Sequence, residues 1–119
     1  MRKSDMTFLH SCLWDLGAAV YHAQLGVWSL QQGRADADPI DTLCDTLVAD
    51  VKLVVERVNV RTNTPRGIAD ALDTAAQEAF SLAYLIRDEP LDAAYDRALA
   101  MTLALRHQRR MAEALAGGR

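Results

Sequence analysis

Histidine and cysteine are the residues of this sequence best suited to metal binding or nucleophilic catalysis. The chain has three histidines and two cysteines: His10, His22, His107, Cys12 and Cys44. No histidine follows a glutamate by three residues or another histidine by four, the spacings that place two ligands on one helix face. The acidic residues are scattered, and no two suggest general acid–base catalysis. The sequence therefore predicts a protein that is not an enzyme and has no metal or cofactor, unless copies of the chain assemble a site.

The cysteines and the start of the chain indicate where the protein works. Two cysteines are too few for a disulfide framework, and Cys44 falls in an apolar row where a small buried side chain is expected. His10, Ser11 and Asp15 interrupt the apolar residues near the start, which argues against a signal peptide. No apolar run is long enough to cross a membrane. We therefore expect a cytoplasmic protein with reduced thiols and no membrane association.

Arginines cluster near the end of the sequence, in the segment RHQRR with Arg106, Arg109 and Arg110. Three arginines make a narrow patch for nucleic-acid binding, and a formal net charge of -3 provides no general attraction to nucleic acid or acidic membranes. Cations also offset the dipole at the C-terminal end of a helix. We expect Arg106 and Arg109 to pair with Asp73 and Asp70 of the preceding helix, which disfavours nucleic-acid binding.

Three aromatic residues are spaced by seven: Trp14, Tyr21 and Trp28. With Ala18 and Leu25 they form a row that steps by four and three residues, as positions on one helix face do. Tryptophan and tyrosine are favoured anchors at the centres of protein interfaces. These five residues are the predicted partner-binding residues, with the four large side chains as anchors and Ala18 providing clearance.

The helices that position these residues are marked by three prolines: Pro39, Pro65 and Pro90. Proline suits the first helical position because its missing N–H would have no partner there. Each proline follows a residue that can cap a helix: Asp38, Thr64 and Glu89 (or Asp88). Ser4 or Asp5 can cap the first helix in the same way. This pattern predicts helices at about residues 5–32, 39–60, 65–88 and 90–116.

Apolar residues recur at steps of three and four in every predicted helix, as expected where each helix buries one face. In the first helix this row runs from Leu9 to Leu30, and in the last it runs from Leu91 to Leu115. The β-branched segment LVVERVNV keeps the same spacing, which favours helix over strand. Short connections make sequential helices antiparallel neighbours. We therefore expect a single all-α domain, an up-down-up-down antiparallel four-helix bundle, with self-association as an open alternative.

The first helix carries a surplus apolar face. At 100° per residue, the aromatic row from Trp14 to Trp28 points about 150° away from the row that runs from Leu9 to Leu30. A bundle helix needs only one apolar face. The aromatic row must be covered by another protein, by a second copy of the chain, or by the other three helices. Gly17 and Gly26 indicate close packing of a neighbouring element against the same helix. Exposed apolar positions are fewer on the other helices: Phe80 and Tyr84 on the third, Leu99 and Leu103 on the fourth.

We expect a small, non-catalytic protein–protein interaction module that regulates or inhibits another protein by laying its aromatic row into a groove. Small bacterial or phage regulators of this type include anti-activators, immunity proteins and inhibitors of host defences, an analogy at the level of class. One alternative is a homodimeric structural bundle with the row at the dimer interface. The other is a nucleic-acid-associated helical subunit. Secondary binding residues are predicted at Phe80, Tyr84, Arg106, Arg109 and Arg110.

Overall fold

Four α-helices make up almost all of residues 2–117, which the computed structural model describes. They are α1 (Lys3–Gln31), α2 (Ile40–Val60), α3 (Arg66–Asp88) and α4 (Leu91–Ala116). The predicted helix bounds agree with these to within two residues. The β-branched segment of α2 is helical, and residues 2–117 contain no strand. The all-α prediction is confirmed.

Helices α2, α3 and α4 each begin directly after a proline, which occupies the capping position and not the predicted first helical position. The three prolines have extended backbones, and their carbonyl oxygens accept the first helical hydrogen bonds, from the N–H groups of Leu43, Ala69 and Ala94. No side-chain capping bond forms at these three starts within the described chain. The predicted caps Asp38, Thr64 and Glu89 (or Asp88) are therefore wrong, because proline itself supplies the capping carbonyl.

The start of α1 is held by a carboxylate in its first turn. Asp5 accepts a hydrogen bond of 3.3 Å from the backbone N–H of Arg2, the residue before the helix. A carboxylate in the first turn also interacts favourably with the positive end of the helix dipole. The predicted cap, Ser4 or Asp5, is therefore wrong, because both residues lie inside the helix and Arg2 occupies the capping position. Asp5 nevertheless stabilises the helix start from its first turn.

Consecutive helices run antiparallel, as the contacts between their opposite ends demonstrate. Between α1 and α2, Asp5 contacts Arg61 and Asp15 contacts Arg57. Between α2 and α3, Cys44 contacts Ala83, and Asn59 and Asp70 line the same groove. Between α1 and α4, His10 contacts Glu113 and Gln31 contacts Asp92. The up-down-up-down bundle is confirmed.

The apolar rows predicted from spacing form the core. In α3, every residue of the apolar row from Ile68 to Ile86 is buried. In α1, the apolar row that runs from Leu9 to Leu30 is buried between Leu13 and Val27. Leu115 is an exception, because 60% of it is exposed in the last turn of α4. The prediction that Leu115 belongs to the buried row is wrong.

The bundle is not a regular square. Helix α1 contacts all three other helices, and its most extensive contact is with α4. Helices α2 and α4 do not touch within the described chain, and α3 touches α4 only slightly. The outer side of the α1–α4 pair therefore has no helix packed on it.

Candidate interaction surface on α1 and α4

The aromatic row, defined as Trp14, Ala18, Tyr21, Leu25 and Trp28, lies on the outer side of α1. Its four large side chains are exposed: Trp14 by 52%, Tyr21 by 49%, Leu25 by 45% and Trp28 by 41%. The hypothesis that the other three helices cover this row is therefore wrong. The core row of α1 already occupies the face that meets those helices, so the large side chains of the aromatic row stay about half exposed.

Helix α4 borders the aromatic row along one side. Arg106 and Arg109 line a groove between α1 and α4 together with Trp14, Gly17 and Tyr21. The guanidinium carbon of Arg109 lies 4.1 Å from the centroid of the Trp14 ring, within the range of a cation–π interaction. Two of the three arginines predicted as secondary binding residues therefore lie beside the aromatic row.

The predicted pairing of these arginines with α3 is wrong. No ion pair within residues 2–117 joins Arg106 to Asp73 or Arg109 to Asp70. Asp70 instead lies 3.8 Å from Arg66 of its own helix. The physical reason is that α4 packs on α1 and only slightly on α3.

A second row of exposed residues runs along α4 at steps of four and three. This α4 row consists of Asp92, Asp96, Leu99, Leu103, Arg106 and Arg110. All six are exposed, and because Arg106 borders the same groove as Tyr21, the α4 row lies beside the aromatic row. We call the two rows together the outer face. Arg106 and Arg110 were predicted as secondary binding residues, and Leu99 and Leu103 as exposed apolar positions. The four-three spacing that joins these four residues to Asp92 and Asp96 in one row is the signal that the prediction missed.

The tryptophans at the two ends of the aromatic row each have a neighbouring arginine or histidine side chain. Arg34, in the connection after α1, lies 5.9 Å from the Trp28 ring centroid and donates a 3.1 Å hydrogen bond to Asp36. His10 lies beside Trp14, with ring centroids 6.2 Å apart, and its Nε2 is 3.7 Å from a carboxylate oxygen of Glu113. These contacts orient the indole rings, and such preorganisation lowers the entropy lost on binding.

Phe80 and Tyr84, the other predicted secondary residues, lie elsewhere. They line a groove between α2 and α3 with Cys44, Lys52 and Arg87. Tyr84 is exposed and Phe80 is half-buried. The structure therefore separates the predicted secondary residues into two surfaces, and only the α4 arginines belong with the aromatic row.

The two cysteines are buried and free. Cys44 donates a hydrogen bond of 3.3 Å from Sγ to the carbonyl oxygen of Ala83. Burial raises the pKa of both thiols, since desolvation disfavours the thiolate. Thiols with a raised pKa are poor nucleophiles.

Two further findings concern metals and membranes. Within residues 2–117, no three histidine, cysteine or acidic side chains lie close enough to hold a metal ion. No helix in the same part of the chain has both the length and the apolar character needed to cross a membrane.

Comparison with known proteins gives no match. No family model matches the chain, and neither curated proteins nor solved structures contain a match to it. Inference about function therefore depends on the residues of the outer face.

Proposed function

We propose that the protein is a small, non-catalytic interaction module that regulates or inhibits another protein by binding it through the outer face. The observation that carries this proposal is the exposure of four large apolar side chains in one row. Two of them, Trp14 and Trp28, are the only tryptophans of the chain. A contiguous apolar patch on a small protein is typical of a protein-binding site.

The energetics of burial support the same proposal. Removing apolar surface from water contributes about 25 cal/mol per Å², and an aromatic side chain offers roughly 150–250 Å². Covering the exposed parts of Trp14, Tyr21 and Trp28 would therefore contribute several kcal/mol, of which part is lost to the entropy of association. Orientation of the indole rings by Arg109 and Arg34 reduces that loss.

The charges beside the aromatic row support protein binding over nucleic-acid binding. Arg109 already lies over Trp14, and Arg106 and Arg110 share the α4 row with two carboxylates, Asp92 and Asp96. A surface that binds a polyanion would be expected to carry cations along its length, whereas the acidic end of the α4 row would repel one. Mixed charge around an apolar centre is typical of a protein interface. The free, buried cysteines are compatible with a reducing compartment, and we propose a cytoplasmic location on that ground.

The proposal is tested by capture of partner proteins on the immobilised chain, followed by crosslinking and quantification. We expect Trp28→Ala to reduce the amount captured from a lysate of the source organism, because loss of an aromatic anchor costs about 2 kcal/mol or more, roughly 30-fold in affinity. The helical circular dichroism should not change, since Trp28 lies outside the core.

The matched control is Tyr84→Ala, which removes an aromatic side chain that is 71% exposed but lies on α3. This variant should capture as much protein as the wild type. Equal capture by wild type, Trp28→Ala and Trp14→Ala would overturn the proposal.

A further inference from the structure

The α4 row is complementary to itself when reversed. It reads Asp92, Asp96, Leu99, Leu103, Arg106, Arg110, so that one end is acidic, the middle is apolar and the other end is basic. If a second α4 lies antiparallel to the first, Asp92 faces Arg110, Asp96 faces Arg106, and Leu99 faces Leu103. A parallel alignment would place carboxylate against carboxylate and arginine against arginine. The charges therefore select the antiparallel alignment.

The aromatic row has the same property. Trp14 and Trp28 lie seven residues on either side of Tyr21. In an antiparallel pair of α1 helices, Trp14 of each copy faces Trp28 of the other, and the two Tyr21 side chains meet at the centre. The small Ala18 then lies close to the larger Leu25 of the other copy.

The centres of the two rows lie at the same height in the bundle. Contacts between Trp14 and Arg109 and between Gln31 and Asp92 set the alignment of α1 against α4. This alignment brings Tyr21, the centre of the aromatic row, level with Thr102. The centre of the α4 row is Met101, one residue or about 1.5 Å away. A single twofold axis across both helices therefore satisfies both rows at once.

We propose that a second copy of this chain covers the outer face, forming an antiparallel homodimer in which α1 packs on α1 and α4 packs on α4. This inference rests on the proposed function, because it names the protein that the outer face binds when no other partner is present. A partner protein would then have to displace the second copy.

The size of the outer face is sufficient for a reversible dimer. The α4 row is about 27 Å long at 1.5 Å per residue, and two neighbouring helices are about 20 Å wide. Two such faces bury roughly 1,000 Å² in projection, near the lower limit for specific interfaces. We therefore expect a dimer that forms at micromolar concentrations and dissociates on dilution.

Charge reversal tests the alignment directly. In the homodimer, position 96 of each copy faces position 106 of the other, so this pair occurs twice. Asp96→Arg places two arginines together at both pairs, and Arg106→Asp places two aspartates together at both pairs. We expect each variant alone to dissociate at least tenfold more readily than the wild type in sedimentation equilibrium. An equimolar mixture of the two variants should recover the dimer, since each copy then offers the charge opposite to that of its partner. The double variant D96R/R106D should recover it as well.

The matched control is Arg97→Asp, a charge reversal at an exposed position of α4 outside the α4 row. It should dimerise like the wild type. Circular dichroism should be the same for all these variants, because both reversed positions are exposed. A wild type that stays monomeric at hundreds of micromolar, or variants that show no recovery on mixing, would overturn the inference.

The two proposals fail separately. If the wild type is monomeric and Trp28→Ala still captures less partner, the homodimer is wrong and the proposed function stands. If the dimer forms and is rescued by mixing, but Trp14→Ala and Trp28→Ala capture as much of other proteins as the wild type, the outer face serves self-association alone and the regulatory proposal is wrong.

Discussion

The guanidinium group of Arg109 lies over the indole ring of Trp14, with its central carbon 4.1 Å from the ring centroid. The contact joins the last third of α4 to the first half of α1. It keeps one face of the Trp14 ring out of water, while 52% of that residue stays exposed. One contact thus contributes both to the stability of the α1–α4 pair and to the shape of the outer face.

Replacing Arg109 should therefore cost stability. We expect Arg109→Ala to lower the free energy of unfolding by about 1 kcal/mol, the contribution typical of a partly exposed cation–π pair. Arg97→Ala, at an exposed position of the same helix, should change it by a few tenths at most. Urea denaturation followed by circular dichroism measures both, at a low protein concentration so that association does not contribute. Equal stability of the two variants would show that the stacking contributes nothing.

The two glycines of α1 should respond in opposite ways to alanine. A Cβ at Gly26 would overlap the buried side chain of Leu43 on α2, whereas at Gly17 the nearest atom is Cβ of Leu105, at 3.9 Å. Alanine is favoured over glycine by about 1 kcal/mol inside a helix, while overpacking costs about 1–3 kcal/mol. Gly17→Ala should therefore stabilise the chain and Gly26→Ala should destabilise it. Thermal unfolding of the pair at matched concentration checks the sign, and two shifts in the same direction would contradict this account.

The buried carboxylate of Asp5 should make stability depend on pH in the acid range. A 3.0 Å hydrogen bond from Arg61 holds the pKa of Asp5 below its ordinary value of 3.8, and the Arg2 backbone N–H adds to this effect. A lowered pKa stabilises the folded state above pH 3.8, and this contribution is lost as the pH falls through the folded-state pKa.

Asp5→Asn, which lacks the charge, should therefore be less stable than the wild type at pH 7, and the difference should shrink below about pH 4. Urea denaturation at a series of pH values measures it, with Asp73→Asn, an exposed carboxylate of α3, as the control. A difference between wild type and Asp5→Asn that stays constant down to pH 2 would contradict the role given to Arg61.

Both cysteines should resist modification in the folded protein. Cys12 and Cys44 are buried, and burial raises the pKa of each thiol. Because the thiolate is the reactive form, a disulfide reagent at pH 8 should label neither residue quickly until urea is added. The variants Cys12→Ala and Cys44→Ala assign the labelled site. Rapid labelling of the native wild type would show that one thiol is accessible.

The two apolar faces of α1 could be predicted from their spacing, but whether the other helices cover the aromatic row could not. Leu13, Leu16 and Val20 take the core side, which leaves Trp14 and Tyr21 outside. The α3 row was also predictable, since its spacing continues unbroken from Ile68 to Ile86 and every member is buried.

The position of α4 could not be predicted in the same way. Pairing of Arg109 with Asp70 satisfied the charges as well as stacking on Trp14, and local spacing does not distinguish the two. The choice depends on how closely whole helices approach, which is a property of the packed bundle. The proline positions differ for a more local reason: whether Pro39 is the cap or the first helical residue depends on its ψ angle, which the residue type leaves free.

The pairing of α1 with α4 joins the two helices that lie farthest apart in the sequence. During protein synthesis this pairing is therefore delayed until α4 has been made. At about 5–20 residues per second, the 85 residues from Gln31 to Ala116 take about 4–17 s to be added after α1 is complete. Throughout that time the ribosome-bound chain carries α1 without its principal partner, so that the side which α4 will later cover is open to solvent along with the aromatic row. We therefore expect the newly made chain to be most prone to aggregation before its last helix is complete.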